Sequence, residues 1–367
     1  MLFQVQKPDP AGIYWLDTVL TTFINNLFND MAFGNDMFPS EFESVLNESP
    51  KTSEKFGGVF VAYEALGAAE RQAFQDLYAN HRDIINHFVD DGFDVVRIPD
   101  AQSDIWKSLK ELGKYLYSTT LGLVCFTSLA NVNHSIDDHF QQFRDLYGNV
   151  CCFCGLKEYE EVREIEDDEG NVQWRADYDH YLPKKHYPFS SVDFNNLFPM
   201  CHTCNSKAKG QLDTLYGEGG IRVLAFHPYL DGQGVVLAPV YDPDTRRWDL
   251  DFAGGNALNN RKIENWDRIF NVISRASKRM NDFCHETWVA PLIESYNSAE
   301  EVRNKLNREI IRCKERVKTE REAYFKVLCY QELKKQDDDI LEALLATVKE
   351  TYDDVVADTL VETGIGL

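Results

Sequence analysis

Residues 176–188 read ADYDHYLPKKHYP and set a carboxylate beside an imidazole, Asp179 and His180, directly before a Pro-Lys-Lys turn. The stretch reads as the end of a strand, and a fold needs neither residue there. A lone Asp-His pair is more often a surface turn than a site. Its meaning is set by what frames it.

The frame is cysteine. Cys151-x-x-Cys154 and Cys201-x-x-Cys204 are two paired clusters with 46 residues between them. Each pair offers two thiolates from one tight turn, and two pairs close a tetrahedral four-sulfur zinc site with no open position. Such a site is structural and contributes on the order of 10 kcal/mol to folding. Four buried free thiols would leave the paired spacing unexplained. The zinc pins residues 155–200 into a closed excursion that carries Asp179 and His180, so it holds the chemistry in place without taking part in it. Cys152 reads as a packing residue or an alternative ligand. Cys125, Cys284, Cys313 and Cys329 are scattered in apolar or helical contexts and read as core residues. Clustered cysteines in a long chain point to metal and a reducing compartment rather than to a disulfide framework.

Downstream, residues 194–210 read FNNLFPMCHTCNSKAKG. The order is a strand ending in Asp-His, a loop, a strand beginning near Asn196, the second knuckle, then a helix carrying Asn205 near its start. This arrangement, framed by the CxxC pairs, resembles the HNH endonucleases with a ββα-metal core. The resemblance is strong over about residues 145–215. AFHPYLD (225–231) and NRKIENWDRIFNV (260–272) resemble segments that follow the core in some larger members.

The resemblance implies a role for each residue. His180 matches the general base, and a neutral imidazole can take a proton from water at neutral pH. Asp179 matches the carboxylate that holds a divalent cation. Asn196 matches the amide that braces the loop and orients the histidine, with Asn195 its rival in register. Asn205 stands at the last position, a second metal ligand that is His in many members. An oxygen-only set of Asp179 and Asn205 favours Mg²⁺ or Mn²⁺. Lys184, Lys185, Lys207, Lys209 and Arg175 are the expected nucleic-acid contacts, since cations position a backbone without reading it. Many members carry a Lys three residues after this Asn. Here the lysines fall two and four after it, which leaves open which one meets phosphate. His186 is a spare histidine that could touch phosphate or a second metal. Asp177 is an outer carboxylate, and His202 and His227 read as structural.

The charge qualifies this reading. The chain of 367 residues has a formal net charge of −22, against the basic footprint of most nucleic-acid binders. Residues 1–147 hold 21 acids and 10 bases, a net of −11, and residues 156–170 hold eight acids and two bases, a net of −6. Residues 175–210 turn mildly basic, five bases against three acids, a net of +2. Acidic flanks around a small basic patch suggest that a partner delivers the DNA, and the resemblance implies an ATPase or sensor subunit as that partner. Zinc-framed nucleases of this kind resemble effectors of bacterial phage defence or restriction. An RNA-cleaving HNH nuclease, or a non-catalytic zinc-binding docking module, are the alternatives.

The flanks read mainly as helix. Apolar residues Leu16, Val19, Phe23, Leu27 and Met31 share one face of a helix over 12–31. Residues 60–90 are helical with a break near Gly67, a helix starts near Ser103, and residues 135–148 form a helix stopped by Gly148. One hairpin is expected with its two strands flanking the turn at 167–171, and a second over 235–252. Ser298 with Glu301 opens a long helix through about residue 329, and a last helix carries Ile340, Leu341, Leu344, Leu345, Val348, Tyr352 and Val355. The fold class is therefore α+β, with mainly helical N- and C-terminal regions around a zinc-stabilised ββα-metal HNH core. The domains are drawn at 1–147, 148–215 and 216–367. The longest apolar stretch, LGLVCF at 121–126, is too short for a bilayer, and the N-terminus lacks a signal-peptide pattern. A cytoplasmic protein is expected.

Overall fold

Helix Trp15–Phe28 forms because WLDTVLTTFINNLF returns an apolar side chain every third or fourth residue, and Leu16, Val19, Phe23 and Leu27 are buried on that face. The expected break at Gly67 separates helices Pro50–Glu64 and Ala68–Arg82. Helix Asp104–Ser118 follows, with Ile105, Leu109, Leu112 and Leu116 buried. Helix Ile136–Tyr147 opens on a reciprocal cap, in which Asp138 N–H donates to Ser135 Oγ and Ser135 N–H donates to the Asp138 carboxylate. It stops at Gly148, where φ is 120° and a Cβ would stand 2.3 Å from the Lys318 carbonyl oxygen, so only glycine fits.

The computed structural model describes residues 2–9, 12–89, 93–98, 103–159, 163–167, 170–174, 177–231, 235–253 and 255–363, with the backbone alone over 163–174 and 351–363. Its described strands form three antiparallel hairpins: β1 (Arg163–Asp167) with β2 (Gly170–Trp174), β3 (Tyr178–His180) with β4 (Leu197–Pro199), and β5 (Leu237–Asp242) with β6 (Arg247–Phe252). In the central hairpin Asp179 lies opposite Phe198 and His180 opposite Leu197. The fold is α+β, with these small sheets set among helices. No described helix is long and apolar enough to cross a membrane.

The long helix expected from Ser298 to about residue 329 is instead two, Ala299–Glu315 and Ala323–Lys334. The intervening turn wraps the first cysteine knuckle. Lys318 O accepts from Asn149 N–H and Val150 N–H at 2.8 and 3.0 Å, and Glu322 N–H donates to Gly155 O at 3.0 Å. Continuous helix would direct those groups to itself, so tertiary hydrogen bonds to the knuckle override local propensity. In the last helix, Asp338–Thr363, Leu341, Leu344, Leu345 and Val348 are buried. The side chains of Tyr352 and Val355 lie outside the described residues.

Buried side chains from 1–147, 148–215 and 216–367 join one continuous core. Phe74 meets Phe189 edge-on at 5.1 Å between ring centroids, Phe153 lies 4.8 Å from Phe270, and Phe3 meets Tyr324 at 5.6 Å. The central hairpin is therefore held by apolar contacts from both flanks.

Candidate functional site

The four paired cysteines come together. Their sulfurs all lie within 4.8 Å of one another, fully buried. Zinc bonds to thiolates of about 2.3 Å place tetrahedral sulfurs about 3.8 Å apart, and Cys154 Sγ lies 4.0 Å from Cys201 Sγ. The cluster can hold a metal such as zinc. The Arg275 guanidinium lies 3.6 Å from Cys204 Sγ and offsets thiolate charge. Cys152 is outside the cluster and buried; its backbone N–H donates to Tyr159 Oη.

Between the knuckles, β3 delivers Asp179 and His180 to one cleft of about 670 Å³, which Asn205, Lys184 and Lys185 also line. Asn205 reaches it from the helical turn Thr203–Lys209, which starts inside the second knuckle. That turn is π-wound rather than α, with Gly210 N–H closing on Asn205 O.

His180 Nε2 lies 2.8 Å from the Ser191 carbonyl oxygen. A carbonyl only accepts, so Nε2 carries the proton and Nδ1 keeps its lone pair. Burial holds the imidazole down to about pKa 3, helped by the charges of Lys184 and Lys209 and opposed by the bond to Ser191. The ring is neutral at physiological pH.

Asn196 is fully buried and staples the loop after β3. Leu182 N–H donates to its Oδ1 at 2.7 Å, and its Nδ2 donates to Leu182 O at 3.0 Å and Ser190 O at 3.2 Å. Ser190 adjoins the Ser191 carbonyl that bonds His180, so Asn196 braces the loop one residue from that carbonyl. Asn195 bonds Lys7 Nζ at 2.9 Å and faces away from this role. His227 is buried, its Nε2 3.0 Å from Asn195 O.

Asp179 is buried against one cation. Lys209 Nζ lies 2.8 Å from Asp179 Oδ2, while its hydrogen bond goes to His180 O at 2.9 Å. The ammonium has three N–H donors and pairs with Oδ2 while also donating to the His180 carbonyl. Burial raises the Asp179 pKa, with Lys209 acting in the opposite sense. The Asp179 carboxylate, with the Asn205 amide on the same cleft, is a hard-donor set suited to Mg²⁺ or Mn²⁺.

Lys209 departs from its expected role. Its side chain is 1% exposed and paired internally, so it does not face a nucleic-acid backbone. A lysine four residues after Asn205 on this turn points back beneath β3. Lys184 is half-buried with Nζ 4.8 Å over the Tyr117 ring; Lys185 and Lys207 are exposed. Arg175 lies outside the described residues. His202 is exposed, and Asp177 is exposed at the cleft rim.

Tyr117 and Ser191 are neighbours of His180 that the motif reading passes over. Tyr117 comes from helix Asp104–Ser118 and meets His180 edge-on at 4.5 Å. Ser191 acts through its carbonyl, which no side-chain motif reveals. Gly113, a glycine inside a helical stripe, was the available signal, because such glycines often mark a close approach.

Comparisons with protein-family models, curated proteins and solved structures found no match.

Proposed function

We propose that the chain is a metal-dependent HNH endonuclease that hydrolyses DNA phosphodiester bonds, working as a regulated effector in phage defence or restriction. One observation carries the reading: an imidazole whose Nε2–H is committed to Ser191 O lines the same cleft as the Asp179 carboxylate and the Asn205 amide. The strand, strand and helical-turn order around this cleft, and the four-sulfur cluster beneath it, support the ββα-metal assignment.

His180 Nδ1 accepts a proton from the attacking water, and Ser191 O stabilises the imidazolium that results. A phosphodiester anion bound in the cleft raises the proton affinity of His180 by opposing the charges of Lys184 and Lys209, against the larger effect of burial. Asp179 and Asn205 would hold the divalent cation. Bound there, Mg²⁺ or Mn²⁺ supplies positive charge against the oxygen that leaves phosphorus. Lys184 and Lys185 attract and position the backbone at the cleft mouth. The strongly acidic flanks oppose unassisted DNA binding, so a protein partner that delivers substrate belongs to the proposal.

The test is supercoiled-plasmid cleavage with Mg²⁺, comparing wild type and His180→Ala at matched zinc content, with and without candidate partners. Loss of cutting in the zinc-loaded variant is the expected result. Equal cutting by both proteins would remove His180 from the chemistry. Matched DNA and RNA substrates assign the nucleic acid.

A further inference from the structure

Helix Asp104–Ser118 lies more than fifty residues before β3 in the chain, yet it touches the site at two points. At the first, Gly113 meets the loop that fixes His180. A Cβ there would stand 2.6 Å from Ser191 Oγ, 2.9 Å from Ser191 Cβ and 3.3 Å from Pro188 O. Real Cβ atoms do not approach other atoms at the first two distances, so the glycine lets the helix backbone press directly on Ser191. The Ser191 carbonyl accepts the hydrogen bond from His180 Nε2–H, at 2.8 Å.

One helical turn on, Tyr117 makes the second contact. Its ring lies edge-on to the His180 imidazole, with centroids 4.5 Å apart and planes at 70°. Its hydroxyl donates to Tyr178 O at 2.6 Å, which pins β3 one residue before Asp179. Lys184 Nζ is seated over the same ring at 4.8 Å. Residues 113 and 117 are four apart and share a helix face, so one rigid element sets both the carbonyl partner and the ring wall of His180.

The geometry points to Tyr117 and Gly113 as positioning residues for the general base: the N-terminal helical region completes the active site that residues 148–215 do not build alone. The inference rests on the nuclease reading above for its kinetic consequences, and on the contacts alone for its structural ones. Neither residue touches a reacting atom. Each acts on the orientation of His180, where misplacement by about 1 Å reduces rate on the order of 100-fold.

Two measurements on the same full-length, zinc-loaded proteins test it. The first is Mg²⁺-dependent plasmid cleavage by Tyr117→Ala, Tyr117→Phe, Gly113→Ala and the double variant Gly113→Ala/Ser191→Gly. Tyr117→Ala and Gly113→Ala are expected to lower kcat about 10- to 100-fold with KM changed by less than about twofold. Tyr117→Phe keeps the ring wall and should recover most of the rate. Ser191→Gly removes both close side-chain atoms but keeps the carbonyl, and should rescue Gly113→Ala. The second measurement is the ¹⁵N imidazole spectrum of His180 without substrate. Wild type should show the Nε2–H tautomer with a slowly exchanging proton, and Gly113→Ala and Tyr117→Ala should accelerate that exchange.

Unchanged kcat and unchanged exchange in both variants would overturn the inference. So would a failure of Ser191→Gly to restore Gly113→Ala when zinc content and melting temperature match wild type. If wild type does not cut any nucleic acid yet the exchange behaves as expected, the nuclease reading fails while the positioning of His180 by this helix stands.

Discussion

Replacing Asn196 with Ala tests whether the loop after β3 depends on one amide. The Asn196 side chain is fully buried and spends both of its functional ends on backbone. Its removal leaves Leu182 N–H and Leu182 C=O without partners in a buried setting. Ser190 O keeps a second donor, Asp193 N–H at 3.4 Å. Two orphaned buried groups at about 1–3 kcal/mol each set the expected loss at roughly 2–6 kcal/mol. Asn196→Asp is nearly isosteric and sharpens the test. It keeps an acceptor for Leu182 N–H but turns a second carboxylate oxygen toward Leu182 O and Ser190 O, which are also acceptors, and buries a charge. It should be at least as unstable as Asn196→Ala. Asn195→Ala is the control: it loses one half-buried bond to Lys7, about 1 kcal/mol. The assay is urea unfolding at saturating zinc, with hydrogen exchange at the Leu182 amide. A loss below 1 kcal/mol for Asn196→Ala with that amide still protected would refute the reasoning, as would an Asp variant more stable than the Ala variant.

Lys209→Met should destabilise by about 3–5 kcal/mol because it strands the buried Asp179 charge, and Asp179→Asn/Lys209→Met should recover most of it; additive losses in a double-mutant cycle would refute the pairing. Cys201→Ser should abolish stoichiometric zinc and unfold the central region, since a structural zinc site contributes on the order of 10 kcal/mol, as much as a typical domain's net stability; zinc content and far-UV dichroism read the outcome. Burial holds His81, His87 and His227 down to about pKa 4 and His139 to about 3. Above an ordinary histidine pKa of about 6.5 both states are neutral; as pH falls the unfolded chain binds protons that the folded chain refuses, so stability falls by up to about 1.4 kcal/mol per pH unit for each histidine. The urea midpoint should therefore drop steadily from pH 7 to 5 with zinc retained, and a flat profile would contradict their burial as neutral rings.

Local periodicity made much of the frame legible. Helix Trp15–Phe28, the break before Ala68, the Gly148 stop and the hairpins β1–β2 and β5–β6 follow from patterns within a few residues. The sequence reading failed where distant groups compete for the backbone. Ser298 does cap Glu301 N–H, and the apolar pattern after it runs on, yet the helix ends at Glu315 because Lys318 O and Glu322 N–H are taken by the first knuckle. No window along residues 299–329 contains Asn149, Val150 or Gly155, so no periodicity there could reveal the break.

The site divides on the same line. Paired cysteine spacing survives in a linear reading because each CxxC is a local turn, and the cluster it implies assembles. Asn196 is distinguishable from Asn195 only in space, because β4 registers Leu197 opposite His180 and so turns the preceding amide inward to Leu182. Lys209 looked like a phosphate contact because a positive charge near an Asp-His pair has two physical fates. It can face an anion in solvent or neutralise a buried carboxylate, and composition is the same for both. The distance decides: an ammonium 2.8 Å from Asp179 with 1% of its side chain exposed has already met its anion. Among the described candidates, that assignment leaves Lys184, Lys185 and Lys207 for the proposed contact with a polyanion, on a chain of net charge −22. Attraction from exposed charges is screened beyond roughly 8 Å at physiological salt, which is why the proposed nuclease reading includes a partner that delivers substrate.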